Sequence, residues 1–237
     1  MRFRLLQARE PGDIVREEER AAFADRLGVP VADVLPHDLL AGPVPLSAVL
    51  DGVDAVLVGG SGAHSVFDDA PWIRSFIDLV GEVASSPTPM FASCFGFQAL
   101  VVAMGGRVAR DESRAEVGTF EVIQLTDDDP LFQHLPRSFA AQLGHKDHAV
   151  VWPASLTLLA ASERCPYQAA RVPGTLTWAT QFHPELTGAT NRQRFERYRS
   201  SYEHVFGVEG YRHMLNGFQP SPEHDGLLAQ WRALLPA

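Results

Sequence analysis

Cysteine is scarce in this chain, which has two in 237 residues, Cys94 and Cys165. Two cysteines cannot build the disulfide framework of a small secreted domain, so a reducing compartment, the cytoplasm, is expected. Long apolar runs are also lacking: no segment approaches the roughly eighteen residues of a membrane-spanning helix, and the N-terminus has no signal-peptide pattern. Neither export nor membrane insertion is therefore indicated.

Basic residues are fewer than acidic residues in this chain. Twenty Lys and Arg stand against 29 Asp and Glu, which gives a formal net charge of −9, and no stretch concentrates the basic residues. Because nucleic-acid binding needs a concentrated basic face, no nucleic-acid partner is expected. The acidic string Asp127-Asp128-Asp129 is interpreted as a solvated turn, because hard cations need ligands that converge from spaced positions. Neither a metal ion nor another cofactor is expected.

Apolar residues are plentiful, at 46% of the chain, and they alternate between strand-like and helix-like segments. The nearly continuous apolar run Val53–Val58 is typical of a parallel strand covered on both faces. This alternation predicts an α/β fold of three layers, with a mostly parallel central sheet and helices on both faces. We expect one domain over residues 1–190 and a C-terminal helical appendage, residues 191–237, packed on it.

Two charged stretches are interpreted as solvent-exposed helix faces. One is the string Arg16-Glu17-Glu18-Glu19-Arg20 in the first predicted helix. The other lies in a later amphipathic helix whose aromatic side is formed by Phe195, Tyr198, Tyr202 and Phe206, with four arginines largely opposite: Arg192, Arg194, Arg197 and Arg199.

The segment Pro89–Gly106 has the strongest local pattern. An apolar, β-prone stretch ends at Cys94, and Gly96 opens a second apolar run that closes on a Gly-Gly pair. This order predicts a strand, a tight turn and a helix, the arrangement of a nucleophile elbow, in which small residues such as Ala92 and Gly96 leave room for a strained backbone. A helix N-terminus favours the thiolate, so Cys94 is a candidate nucleophile. The alternative is a buried structural cysteine.

A candidate base follows in the segment Thr180-Gln181-Phe182-His183-Pro184-Glu185. A thiolate nucleophile needs a base that can return a proton to the leaving amine, and that base needs a third group to fix its tautomer. Residues two apart on an extended segment point the same way, so Glu185 can support His183 while His183 faces Cys94. These residues predict a Cys-His-Glu triad.

The triad and its neighbouring motifs resemble the class I glutamine amidotransferase family, of the type found in GMP synthetase, over roughly residues 50–190. The glycine loop Gly59–Gly62, the elbow Cys94–Gln98, the turn Arg114–Gly118 and the segment Gly144–Val150 occur in the family's order. The resemblance implies a flavodoxin-like fold with the elbow at its centre. It also implies an oxyanion hole formed by Gly60 and Phe95, and substrate contacts from Gly59, Gln98, His145 and Lys146.

The chain departs from the family's pattern at three positions. Ala92 replaces a glycine in the elbow, and Gly144 and Lys146 stand where the family has Ser and Gly. The residues from Gln142 to Val151 form either a polar loop between two strands or a loop over the cleft that holds the amino-acid end of the substrate. In the second case Lys146 pairs with a carboxylate.

The resemblance implies a cysteine-dependent enzyme that hydrolyses or transfers the γ-glutamyl group of glutamine or a γ-glutamyl compound through a thioester on Cys94. No phosphate-binding loop follows Glu185. A stand-alone hydrolase is therefore favoured over a glutaminase subunit that supplies ammonia to a separate synthetase chain. A third reading is a binding module on the same fold that has lost turnover.

Overall fold

The predicted site residues lie close together because they follow the ends of neighbouring strands in one sheet. A computed structural model describes residues 1–236, and in them nine strands form a large sheet and two form a small antiparallel pair. The strands are β1 (Phe3–Gln7), β2 (Val34–Asp38), β3 (Ala55–Val58), β4 (Met90–Ser93), β5 (Arg107–Arg110), β6 (Glu116–Gln124), β7 (Ser138–His145), β8 (Asp147–Val151), β9 (Thr157–Ala161), β10 (Ala169–Arg171) and β11 (Thr177–Thr180).

The large sheet has the order β2-β1-β3-β4-β11-β10-β9-β6-β7, and β5 pairs with β8. Neighbours from β2 to β11 are parallel, and the pairs from β11 to β7 are antiparallel. Strand direction therefore reverses only in β10 and β6 among the described strands of this sheet, so the sheet is mostly parallel. The carboxyl ends of β3, β4 and β11 meet at one edge, which is where open α/β sheets bind ligands.

Helices cover both faces of the sheet. They are α1 (Val15–Leu27), α2 (Leu46–Leu50), α3 (Pro71–Ser85), α4 (Phe95–Ala103), α5 (Gly188–Arg197), α6 (Arg199–Leu215) and α7 (Leu227–Ala233). Alternate residues of each strand serve two separate cores: Leu5, Leu57 and Phe91 pack with α1 and α7. Leu6, Val56 and Met90 pack with α3 and α4 on the other face. The predicted three-layer α/β class is confirmed, and none of the described helices is long and apolar enough to span a bilayer.

The polar stretch between Gln142 and Val151 forms paired strands despite its composition. The polar-loop reading of this stretch is wrong, because β7 runs to His145 and β8 begins at Asp147, which leaves Lys146 alone between them. His145 and Asp147 are buried. The chain leaves the large sheet at Lys146 and enters the small one, so this residue lies at the cleft edge.

The C-terminal helices pack against the sheet domain. The Asn191 side chain donates to Gln142 Oε1 at 3.2 Å and to the Leu143 carbonyl at 3.1 Å, and Trp231 of α7 is fully buried. Helix α5 begins at Gly188, two residues before the expected boundary. The domain boundary at residue 190 stays a prediction. The last residue of the expected appendage, 237, lies outside the described residues.

The solvated-turn reading of the acidic string is wrong at Asp129, which is 4% exposed. Its carboxylate accepts from the Leu131 and Phe132 amides at 3.0 Å each. It also accepts from Trp178 Nε1 at 3.1 Å. The third aspartate therefore satisfies buried donors of the fold, a long-range role that local composition does not reveal.

We predict opposite effects of alanine at two glycines. A Cβ at Gly96 would lie 2.7 Å from Val58 Cγ1, whereas one at Gly81, inside α3, would meet Ala103 Cβ at 3.4 Å. Gly96→Ala should lower the free energy of unfolding by about 1–3 kcal/mol through overpacking, and Gly81→Ala should leave it unchanged or raise it by up to about 1 kcal/mol. Urea unfolding of both variants is the measurement; equal effects would contradict the close approach at the elbow.

Candidate active site

The turn between β4 and α4 holds Cys94 in a strained conformation. Its φ is 52° and its ψ is −100°, and among the described residues it alone combines a positive φ with a side chain. Its amide N–H donates to the Thr180 carbonyl at 2.7 Å. Such strain is typical of functional sites, and this turn aims the sulfur at the segment that follows β11.

His183 and Glu185 lie in that segment and are both buried. His183 Nδ1 donates to Glu185 Oε1 at 2.6 Å. Burial lowers the pKa of His183, but Glu185 and Cys94 outweigh burial and raise the pKa to about 10. Burial likewise raises the pKa of Glu185, but the His183 imidazolium outweighs it and holds that pKa below its usual range. The three predicted residues therefore converge, with a cationic ring between a sulfur and a carboxylate.

Arg194 strengthens this charge distribution from α5. It was expected on a solvated helix face, but its side chain is 12% exposed and its Nη1 lies 3.9 Å from Glu185 Oε1. That prediction is wrong for Arg194, which faces the cleft, whereas the other three arginines of this set are exposed. A guanidinium at this distance favours the ionised form of Glu185, and Glu185 in turn favours the imidazolium.

The two predicted oxyanion donors differ in what surrounds them. Phe95 is the first residue of α4, and the first N–H of a helix has no intrahelical acceptor. The Gly60 N–H instead donates to Glu19 Oε1 at 3.2 Å. Glu19 was expected on a solvated face, but it is fully buried and pairs with Arg9 at 2.7 Å. The Gly60 donor is therefore engaged inside the protein, because a buried carboxylate attracts the nearest N–H groups.

Two of the predicted substrate-binding residues, Gly59 and His145, have their polar groups engaged inside the protein. The Gly59 N–H donates to the Leu6 carbonyl at 3.1 Å, and a Cβ at Gly59 would lie 2.7 Å from the carboxyl carbon of Glu19. His145 uses Nδ1 against the Asp147 carbonyl and Nε2 against Glu116, each at 3.0 Å. These contacts give both residues a structural role: Gly59 lets Glu19 approach the loop, and His145 braces the backbone. Their contact with substrate stays a prediction.

Gln98 and Lys146 line the cleft, and their contact with substrate stays a prediction. Gln98 Nε2 donates to the Asp147 carbonyl at 2.8 Å and to Gln181 Oε1 at 3.1 Å, which commits both of its amide hydrogens. Lys146 is half-buried and has no ion-pair partner in residues 1–236. Burial, reinforced by Arg110, lowers its pKa, so an anion bound beside it would relieve an unfavourable environment.

Glu116, His145 and Cys165 form the described group best able to hold a metal ion, with donor atoms within 4.8 Å of one another. His145 Nε2 and Glu116 Oε2 are already bonded to each other. Burial, with the neighbouring Glu116, raises the pKa of Cys165 to about 12, which keeps its sulfur a thiol. The group is therefore a buried cluster in which His145 and Glu116 already bond to each other.

The cleft itself has a volume of about 330 Å³, and sequence reasoning missed part of its wall. Tyr198 and Tyr202 line it from the α5–α6 junction, although the aromatic spacing predicted only an amphipathic helix. Gln181 was also missed: its Nε2 lies 3.6 Å from Cys94 Sγ. Gln181 lies two residues before His183, so the spacing rule that led to His183 and Glu185 could have found it, although residues 183–186 form a turn closed by the Leu186 N–H and the His183 carbonyl at 3.1 Å.

The carboxylate should control the titration of His183. Glu185→Gln removes the negative charge that favours the imidazolium, so the pKa of His183 should fall by about one unit or more, and the ring should lose its proton at lower pH. The measurement is an NMR titration of the imidazole Cε1–H, assigned by its loss in His183→Asn. Glu196→Gln, on the exposed side of α5 beside Arg192, is the control; equal titration in all three proteins would contradict the coupling.

Comparisons with known proteins place this geometry in a family. The sequence model described as glutamine amidotransferase class-I matches residues 42–199, more than half of the chain. A GMP synthase (glutamine-hydrolysing) of Thermosipho melanesiensis is 34% identical over 134 residues, which are 56% of this chain and 24% of that protein. The chain thus spans about a quarter of that relative.

Two solved structures share the fold over nearly the whole chain. A glutamine amidotransferase of Thermotoga maritima has a TM-score of 0.72 at 20% identity and covers 98% of this chain and 95% of its own. A glutamine amidotransferase of Methylobacillus flagellatus has a TM-score of 0.70 at 20% identity, with coverages of 99% and 95%. The architecture, the elbow and the family match agree: the chain belongs to the class I glutamine amidotransferase family.

Proposed function

We propose that this protein hydrolyses the γ-amide of glutamine, or of another γ-glutamyl compound, through a thioester on Cys94. The observation that carries the proposal is the buried His183 ring, bonded to Glu185 and facing the sulfur of a strained elbow. An imidazolium beside a thiol favours the thiolate, the nucleophilic form of cysteine. The ring also has a proton to give to a leaving amine.

In the acylation step, the Cys94 thiolate attacks the γ-carbonyl carbon and the C–O π electrons move onto oxygen. The Phe95 N–H donates to this oxyanion. The Gly60 N–H contributes once it exchanges Glu19 for the stronger negative charge of the tetrahedral intermediate. His183 then protonates the nitrogen, the C–N bond breaks, and ammonia or an amine leaves while the γ-glutamyl group stays on sulfur.

In the deacylation step, neutral His183 takes a proton from water and the hydroxide attacks the thioester carbonyl. The C–S bond breaks, glutamate leaves, and the thiolate and imidazolium are restored. Glu185 holds the ring in the same tautomer through both steps, because its carboxylate accepts only from Nδ1–H. An amine in place of water would give transfer instead of hydrolysis.

A second candidate function is glutaminase activity that supplies ammonia to a separate synthetase chain. The relatives that match over about a quarter of their length are named GMP synthases, so this region belongs to larger enzymes there. The two functions differ in an isolated-chain assay. A subunit that depends on its synthetase should release little glutamate alone and recover when that protein is added, whereas a stand-alone hydrolase should turn over small γ-glutamyl amides unaided.

Replacement of the nucleophile should abolish turnover. We expect Cys94→Ser to release no glutamate from glutamine or from a panel of γ-glutamyl amides, because a hydroxyl beside this imidazolium is a far weaker nucleophile than a thiolate. Mass spectrometry should find a γ-glutamyl adduct on the wild-type Cys94 peptide. Cys165→Ala is the control and should keep both activity and adduct. Turnover by Cys94→Ser would exclude the thioester route, and a wild type that forms no adduct and stays inert after a synthetase is added would favour the non-catalytic reading.

Lys146 should act on substrate affinity. A half-buried ammonium paired with the α-carboxylate contributes about 1.5–3 kcal/mol, so Lys146→Ala should raise KM about tenfold or more with a smaller change in kcat. Lys146→Arg keeps the charge and should recover most of the affinity. Steady-state kinetics on glutamine measures both; an unchanged KM in Lys146→Ala would remove this residue from the binding site.

A further inference from the structure

Gln181 is a fully buried polar residue directly after β11. Its backbone N–H donates to the Gln168 carbonyl at 2.8 Å, and its side-chain Nε2 lies 3.6 Å from Cys94 Sγ. Burial of an amide is unfavourable unless its hydrogen bonds are made. The burial of the Gln181 side chain is therefore favourable only if its Oε1 and its Nε2 both have hydrogen-bond partners.

Those groups fix which end of the amide faces the sulfur. Gln98 Nε2 donates to the Asp147 carbonyl at 2.8 Å, and a carbonyl can only accept, so the nitrogen of Gln98 must point to that region. The same nitrogen lies 3.1 Å from Gln181 Oε1. Gln181 must therefore present its oxygen to Gln98 and its NH2 group to Cys94, a conclusion that rests on bonding partners and not on distinguishing N from O.

We propose that Gln181 is a further catalytic residue, whose Nε2–H donates a hydrogen bond to the Cys94 sulfur and stabilises its thiolate before attack. The inference deepens the proposed function and rests on it, since a stabilised thiolate matters only if Cys94 is the nucleophile. An N–H donor interacts more strongly with an anion than with a neutral thiol, so it favours the charged form. The charge is thereby held from two sides, by His183 and by this amide.

Other titratable and charged groups lie near the sulfur. They are His183 and Glu185 after β11, Arg194 and Tyr198 at α5 and its end, Tyr202 of α6, Arg9 after β1, and His64, Arg110, Lys146 and Asp147 around the cleft. A change at Gln181 leaves all of them in place. A difference between variant and wild type therefore reports on the amide donor.

The hydrogen bond has two opposed kinetic consequences. It increases the fraction of thiolate at neutral pH, but it also makes each thiolate less nucleophilic, since nucleophilicity falls as the thiol becomes more acidic. Loss of the donor should thus slow reaction at low pH and leave it equal or faster at high pH. A merely structural role for Gln181 would slow the reaction at every pH.

The test is alkylation of Cys94 by iodoacetamide across a range of pH, followed by peptide mass spectrometry. The thiolate displaces iodide and forms a thioether, so the rate follows the thiolate fraction. Cys165 is 1% exposed, and the two cysteines fall on separate peptides. In Gln181→Leu the midpoint should rise by about one pH unit, with a rate about tenfold lower at acidic pH. Gln124→Leu is the matched control, since Gln124, the last residue of β6, is also buried and donates to the Thr126 carbonyl; its midpoint should equal that of the wild type.

Gln98→Met provides a second variant, because it removes the contact that orients the Gln181 amide. Its midpoint should rise by a smaller amount in the same direction. If neither variant folds, the side-chain amide resonance of Gln181 in the wild type should titrate with the alkylation midpoint. An unchanged midpoint in a folded Gln181→Leu protein, or a resonance that does not titrate, would overturn the proposal. No step of the assay requires glutamate release, so a failure of the proposed function would be seen separately.

Discussion

The hydrogen bond from the Cys94 N–H to the Thr180 carbonyl links the two halves of the site. It extends the parallel pairing of β4 and β11 by one residue, and it fixes the distance between the strand that ends in the nucleophile and the segment that carries Gln181, His183 and Glu185. Cysteine and histidine are far apart in sequence, and sheet register brings them together. The sheet therefore fixes the relative positions of the site residues, because these residues directly follow the ends of its strands.

Buried charge is concentrated at the same edge of the sheet. Arg194, Glu185 and His183 form one run of alternating sign, and Arg9 with Glu19 forms another under the glycine loop. Burial disfavours the charged form of an unpaired group, whereas a nearby opposite charge favours it, so paired groups keep their charge. The acidic net charge of the chain gives no indication of this arrangement, since a site is determined by neighbours within a few ångströms.

Features of the site that depend on residues close in sequence could be predicted from local patterns. The elbow around Cys94 depends on small residues within two positions and could be predicted from the sequence. The pairing of His183 with Glu185 was also predicted, but the extended backbone assumed for it is a turn in the structure, closed by the Leu186 N–H and the His183 carbonyl at 3.1 Å. The environments of Glu19, Asp129 and Arg194 could not, because their partners lie far along the chain or on another element. The present acceptor of the Gly60 N–H was not foreseen for the same reason, since Glu19 comes from α1; the oxyanion role of Gly60 stays a prediction.

The backbone of Cys94 has an implication for how this site persists. A residue at φ 52° and ψ −100° holds conformational strain of order 1–3 kcal/mol, and glycine is the one amino acid that would relieve it. Replacement by glycine would therefore relieve this strain and remove the sulfur in the same step. A side chain at this position has a cost in stability, and contacts elsewhere in the fold have to offset it.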